Sequence, residues 1–140
     1  MSDQGINKRR HMRVYFNAGD MLKLHIGRPR LNKTPFMVNV MNISQSGLCF
    51  LMPHGIDDKI NEGDPLVFEK IDDVQILKPI RNVDMIVRWS FREKEFDHQV
   101  YGCEFLNMPS SYSIYLRTFI RQQIKGKGLK PQIGSTKFNA

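Results

Sequence analysis

The run NVDMIVRWSFR, residues 82–92, alternates with a period of two. Val83, Met85, Val87, Trp89 and Phe91 fall on one side; Asp84, Arg88, Ser90 and Arg92, with Ile86, fall on the other. Successive side chains of an extended chain point to opposite faces, so this is a strand with one face in a core and one toward water. Five polar-leaning residues, 93–97, lead into HQVYGCEFL, 98–106, where Tyr101, Cys103 and Phe105 share a face. Two such runs joined by a short polar link predict an antiparallel hairpin.

Beyond this hairpin the period changes. In SSYSIYLRTFIRQQI, 110–124, the residues Tyr112, Tyr115, Leu116, Phe119, Ile120 and Gln123 follow helical spacing. Ser110 or Ser111 can cap the start, Gly126 and Gly128 can end it, and Arg117, Arg121 and Lys125 suit the negative end of the helix dipole. Upstream, VYFNAGDMLKLHIG (14–27) is β-rich and interrupted at Gly19. PFMVNVMNI (35–43) and LCFLM (48–52) flank the turn signal SQSG; Pro53–Gly63 reads as a loop, and 65–71 as a short strand ending at Asp72–Asp73. Five to seven short strands and one terminal helix predict a mainly β protein, a small antiparallel barrel with the helix against it or plugging an open end.

A chain of 140 residues fits one domain with a core that needs no covalent staples. Cys49 and Cys103 lie in apolar runs with no CxxC, which reads as two reduced, buried thiols. There is no run of the ~18 apolar residues a membrane span needs, and the opening MSDQGINKRR lacks the apolar stretch of a signal peptide. The expectation is a soluble, cytoplasmic protein. Its net charge of +7 is uneven. Residues 1–33 hold eight Lys/Arg against Asp3 and Asp20; residues 117–140 hold six Lys/Arg and no acid; the middle, 34–116, is net acidic. A duplex-DNA binder more often carries its basic stripe across the folded surface.

No HExxH, GxSxG or GxxxxGK[ST] occurs. The histidines, at 11, 25, 54 and 98, lack ligand spacing, and the pairs Asp57–Asp58 and Asp72–Asp73 read as solvated loop carboxylates. The chain is expected to be no enzyme and to hold no metal or cofactor. Two polar clusters remain. NKRRHMRV, 7–14, carries Arg9, Arg10 and Arg13. A guanidinium is a planar fork that chelates phosphate oxygens or the O6/N7 edge of guanine and stacks on bases. VMNISQSGLCF, 40–50, leaves a strand at Asn42, turns, and enters another. Asn42 and Ser44 are two apart and point the same way, and Gly47 permits a positive φ and a close approach. A solvated basic tail and a plain Asx or Ser turn account for the same residues.

Taken in order, Arg9-x-x-x-Arg13 and then Asn42-x-Ser44-x-x-Gly47 at a strand turn resemble the PilZ family, whose signature is RxxxR followed by D/N-x-S-x-x-G. GLCF after the second motif and YGCEF, 101–105, before the helix fit its layout, and the likeness runs over about residues 7–124. The resemblance implies a six-stranded antiparallel PilZ-type β-barrel with a C-terminal helix. The chain then divides into a flexible basic strap (1–13), the barrel and helix (14–125), and a disordered basic tail (126–140). It also implies a bacterial receptor for cyclic di-GMP whose strap orders on binding and changes the surface offered to an unidentified downstream protein.

Carried over by position, Arg9 and Arg13 grip phosphates and guanine edges, Arg10 adds a contact, Asn42 and Ser44 bond a guanine edge, and Gly47 leaves room for the base. Asn42, where the family more often has Asp, brings no charge to the guanine donors. Lys8, just before RxxxR, is a further cation that favours a stacked pair of ligands. Trp89 is a platform for guanine by the resemblance, but its place in the 83–91 alternation favours the core. Two other readings compete. A barrel binding single-stranded nucleic acid through its basic ends is opposed by the acidic middle. A ligand-free protein adaptor is opposed by the intact motifs.

Overall fold

A computed structural model describes residues 12–29, 34–52, 59–93 and 98–126. In chain order the strands are β1 (Arg13–Tyr15), β2 (Leu22–Gly27), β3 (Phe36–Ser44), β4 (Gly47–Met52), β5 (Pro65–Lys70), β6 (Val83–Glu93) and β7 (His98–Phe105), followed by helix α1 (Ser110–Gly126). Short 3-10 turns occupy Ala18–Asp20 and Gln75–Leu77. All pairings are antiparallel in the order β1-β3-β2-β5-β6-β7-β4, and β3 also pairs with β4. That last pairing closes six strands, β2 to β7, into a barrel, which abolishes the open edges of a flat sheet.

β1 is the seventh strand, and it does not widen the barrel. It lies end to end with β2 along the same side of β3: Arg13, Val14 and Tyr15 face Ser44, Ile43 and Asn42, while Leu22 to Ile26 face Val40 to Phe36. The interruption expected at Gly19 is the 3-10 turn between them. Arg13, expected to close the flexible strap, is instead the first residue of this strand, because Ser44 opposite it offers a backbone partner.

The inward faces of the strands make one core that includes Leu24, Ile26, Val40, Phe50, Phe68 and Met85. α1 closes the barrel on the side of β1, β3 and the second 3-10 turn. Leu116, Phe119 and Ile120 are its buried residues, with Phe119 against Phe16 at a ring separation of 6.3 Å. Two expectations for the helix need correction. Tyr115, placed on its apolar face, is 39% exposed, because it lies at the edge of the buried arc. Ser110 and Ser111 do not stand at the cap; Ser113 N–H donates to the Pro109 carbonyl, which makes Pro109 the capping position.

A larger correction falls on β6. Val83, Met85 and Val87 are buried as the alternation requires, but Trp89 and Phe91 are exposed. Val87 pairs with Cys103 and Trp89 with the adjacent Gly102, so Arg88 is an extra residue, a β-bulge, and the phase slips by one. The backbone of Val87 is held from the other side, donating to the Asp64 carbonyl and accepting from Gly63 N–H.

Candidate functional site

The second motif owes its placement to another bulge. In β3, Val38 and Val40 face the core; a regular strand would point Asn42 and Ser44 inward as well. Val40 pairs with Phe50 and Asn42 with the next residue, Cys49, so Met41 is extra. Ile43 then takes the core position, and Asn42 and Ser44 turn to the outer face. The Met41 carbonyl accepts from Phe16 N–H, which ties the bulge to the end of β1.

On that outer face the two motifs meet. Arg13 Nη1 donates to Asn42 Oδ1 at 2.8 Å and reaches Cys49 Sγ at 4.0 Å. Asn42 is 6% exposed and Ser44 fully buried, although both are on the outside of the barrel wall. Ser44 serves its own turn: its Oγ accepts from Ser46 N–H at 3.2 Å, donates to the Gly47 carbonyl at 3.4 Å and lies 3.1 Å from Ser46 Oγ. A hydroxyl bonded to a backbone two residues on fixes a tight turn. Gln45 and Ser46 form the two-residue link, and the Ser46 carbonyl accepts from Phe105 N–H of β7.

Gly47 is required for a reason other than a positive φ. Its φ is not in the left-handed region, where Gly63 alone stands among the described glycines. A Cβ on Gly47 would instead strike the Cys103 carbonyl of β7. Gly102, in β7, carries the Trp89 indole on its face, and a Cβ there would collide with the ring. Trp89 is thus 43% exposed and packs against a glycine, not in the core. The bulge at Arg88 is the physical cause of this correction.

Between these groups opens a cleft of about 250 Å³ whose lining includes Arg13, Gly47, Cys49, Trp89, Gly102 and Glu104. Arg88 also lines it, and its Nε lies 2.6 Å from Glu104 Oε1 across the β6–β7 pair. The two cysteines are free, as expected. Cys103 faces the core, and burial, with Cys49 nearby, pushes its thiol up to about 12, so it stays neutral. Among the described residues no group of three or more His, Cys, Asp or Glu converges as a metal site, and no helix is long and apolar enough to cross a membrane.

Of the residues singled out in the sequence, Arg13, Asn42, Ser44, Gly47 and Trp89 gather on one outer face. Lys8, Arg9 and Arg10 lie outside the described residues. The sequence reading missed Gly102, Arg88 and Glu104. Gly102 had a signal, since a glycine inside a strand pattern marks a close approach; the other two had none, being charges in half-exposed strands.

The sequence profile of the PilZ domain matches residues 7–122. No curated protein matches the sequence. Among solved structures the chain is similar to the Bacillus subtilis inhibitor of motility MotI/DgrA (TM-score 0.67, 15% identity, 86% of this chain and 53% of that one). It is also similar to the PilZ domain of YcgR from Escherichia coli with c-di-GMP (0.63, 12%, 86% and 94%). A third likeness is to the MrkH–c-di-GMP complex of Klebsiella pneumoniae (0.66, 13%, 86% and 53%). The chain therefore spans about half the length of MotI and MrkH and nearly all of the YcgR domain. At these identities the likeness is one of fold. Matched over most of its length by the family profile, and with a barrel of the same build, this chain belongs to the PilZ domain family.

Proposed function

We propose that this chain is a receptor for cyclic di-GMP and does no chemistry of its own. One observation carries the reading: Arg13 and Asn42, from two motifs 29 residues apart, are hydrogen-bonded beside a cleft on the outer barrel face. Support comes from the family and from the YcgR and MrkH structures, which contain c-di-GMP. The ligand has two phosphates and two guanines. Arg13, with Arg9 and Arg10, supplies forks for phosphate oxygens and guanine edges. Asn42 orients the Arg13 guanidinium, and Ser44, buried in its own turn, fixes the backbone beside which a base rests. Gly47 keeps the wall low, and the half-exposed indole of Trp89 is a surface on which a guanine can stack.

The strap carrying Lys8, Arg9 and Arg10 closes over the ligand, and a partner protein reads the altered surface. Lys8 favours a stacked pair of ligands by adding a cation near concentrated phosphate charge. Isothermal titration with cyclic di-GMP, with GTP and the linear dinucleotide as controls, tests the reading. Wild type should bind the cyclic ligand selectively and with weak salt dependence, unlike a polyanion binder that releases many counterions. Arg13→Ala should lose about 1.5–3 kcal/mol, roughly ten- to hundred-fold in affinity. Wild-type affinity in Arg13→Ala, or equal binding of the controls, refutes it.

A further inference from the structure

The cleft holds an ion pair that neither motif contains, Arg88–Glu104. Its side chains are about half exposed, 55% and 47%, so both reach the solvent of the cleft. Strand register links the pair to the motif residues. Arg13 faces Ser44, and Gly47, the first residue after the turn, faces Glu104. Arg13, Ser44, Gly47 and Glu104 therefore form one row across β1, β3, β4 and β7. The next row on the same face runs Tyr15, Asn42, Cys49, Gly102, Trp89. Glu104 stands diagonally across from Trp89, within reach of anything that rests on the indole.

We propose that Glu104, positioned by Arg88, selects guanine in this cleft; the inference rests on the receptor reading above. The Watson–Crick edge of guanine presents two parallel donors, N1–H and the 2-amino group, which match the two oxygens of a carboxylate. Adenine presents an unprotonated N1 there, an acceptor facing an acceptor. Asn42 is poorly suited to this task, because a side-chain amide has a single acceptor oxygen and no charge, and so cannot take both parallel donors. Arg88 has two effects. Its Nε binds Oε1 and turns the carboxylate, and its charge offsets that of Glu104, so a dianionic ligand is not repelled. The partner of Glu104 in register is Ile86; Arg88 reaches it because the bulge makes Arg88 the extra residue of β6.

The test is titration of the full chain with cyclic di-GMP and with cyclic di-IMP, which lacks only the 2-amino groups. Wild type should prefer cyclic di-GMP by about tenfold or more. Glu104→Gln should lower cyclic di-GMP affinity by about tenfold and cyclic di-IMP affinity less, so the preference collapses. Arg88→Ala should reduce the preference in the same direction, and Arg13→Ala should weaken both ligands alike. An unchanged ratio in Glu104→Gln, whether both affinities hold or both fall together, overturns the role of Glu104 and leaves the receptor reading standing. No binding of cyclic di-GMP to wild type overturns both.

Discussion

A glycine can be needed for its φ or for its missing Cβ, and Gly47 and Gly102 are both needed for the second reason. They differ in what a Cβ would meet. At Gly47 it is the Cys103 backbone, which is fixed in the barrel; at Gly102 it is the Trp89 side chain, half exposed and able to turn away. Gly47→Ala should therefore destabilise the fold by about 1–3 kcal/mol, as overpacking does. Gly102→Ala should cost less stability but displace the indole and weaken cyclic di-GMP binding. Thermal melts and titration of the two variants separate the effects; equal loss of stability in both would contradict the assignment. Gly47 was legible in the sequence as a motif residue. Its reason was not, because the atom it avoids belongs to a strand far along the chain.

At the scale of elements, the two hairpins and the terminal helix follow from hydrophobic period and turn residues alone. What the sequence hides is phase. An extra residue at Met41 or Arg88 leaves no mark on composition, yet each bulge decides which side chains face out. The alternation of 82–92 therefore put Trp89 and Phe91 in the core, while the register puts them outside. In the second motif the same slip brings Asn42 and Ser44 to the face where Arg13 stands, a grouping that sequence order suggested through the family likeness and not through period. α1 supports this face from behind, since Phe119 packs on Phe16, just past β1. Phe119→Ala should cost about 3–5 kcal/mol. Tyr115→Ala, at the edge of the buried arc, should cost no more than about 1 kcal/mol. Chemical denaturation of both variants checks the contrast, and a large loss in Tyr115→Ala would place the packed face of α1 wrongly.

For the whole molecule, the sequence divides charge between basic ends and an acidic middle, and the fold brings part of the basic start onto the barrel: Arg13 pairs into the sheet beside Asn42. Barrel closure was legible from the number and spacing of strands. The alignment of β1 with β2 along one long β3 was not, because strand pairing over such separations leaves no local signal. In the receptor proposed above, ligand binds on the outer face where β1, β3, β4, β7 and β6 lie side by side. Amide ¹⁵N–¹H correlation spectra, recorded as cyclic di-GMP is added to the full chain, test this most directly. The largest shifts should fall on Arg13, Asn42 to Gly47, Gly102 to Glu104 and the Trp89 indole N–H, while Ile114 and Thr118 on the exposed side of α1 stay still. Shifts concentrated on α1 or on β2 and β5, with that face unmoved, would contradict the account.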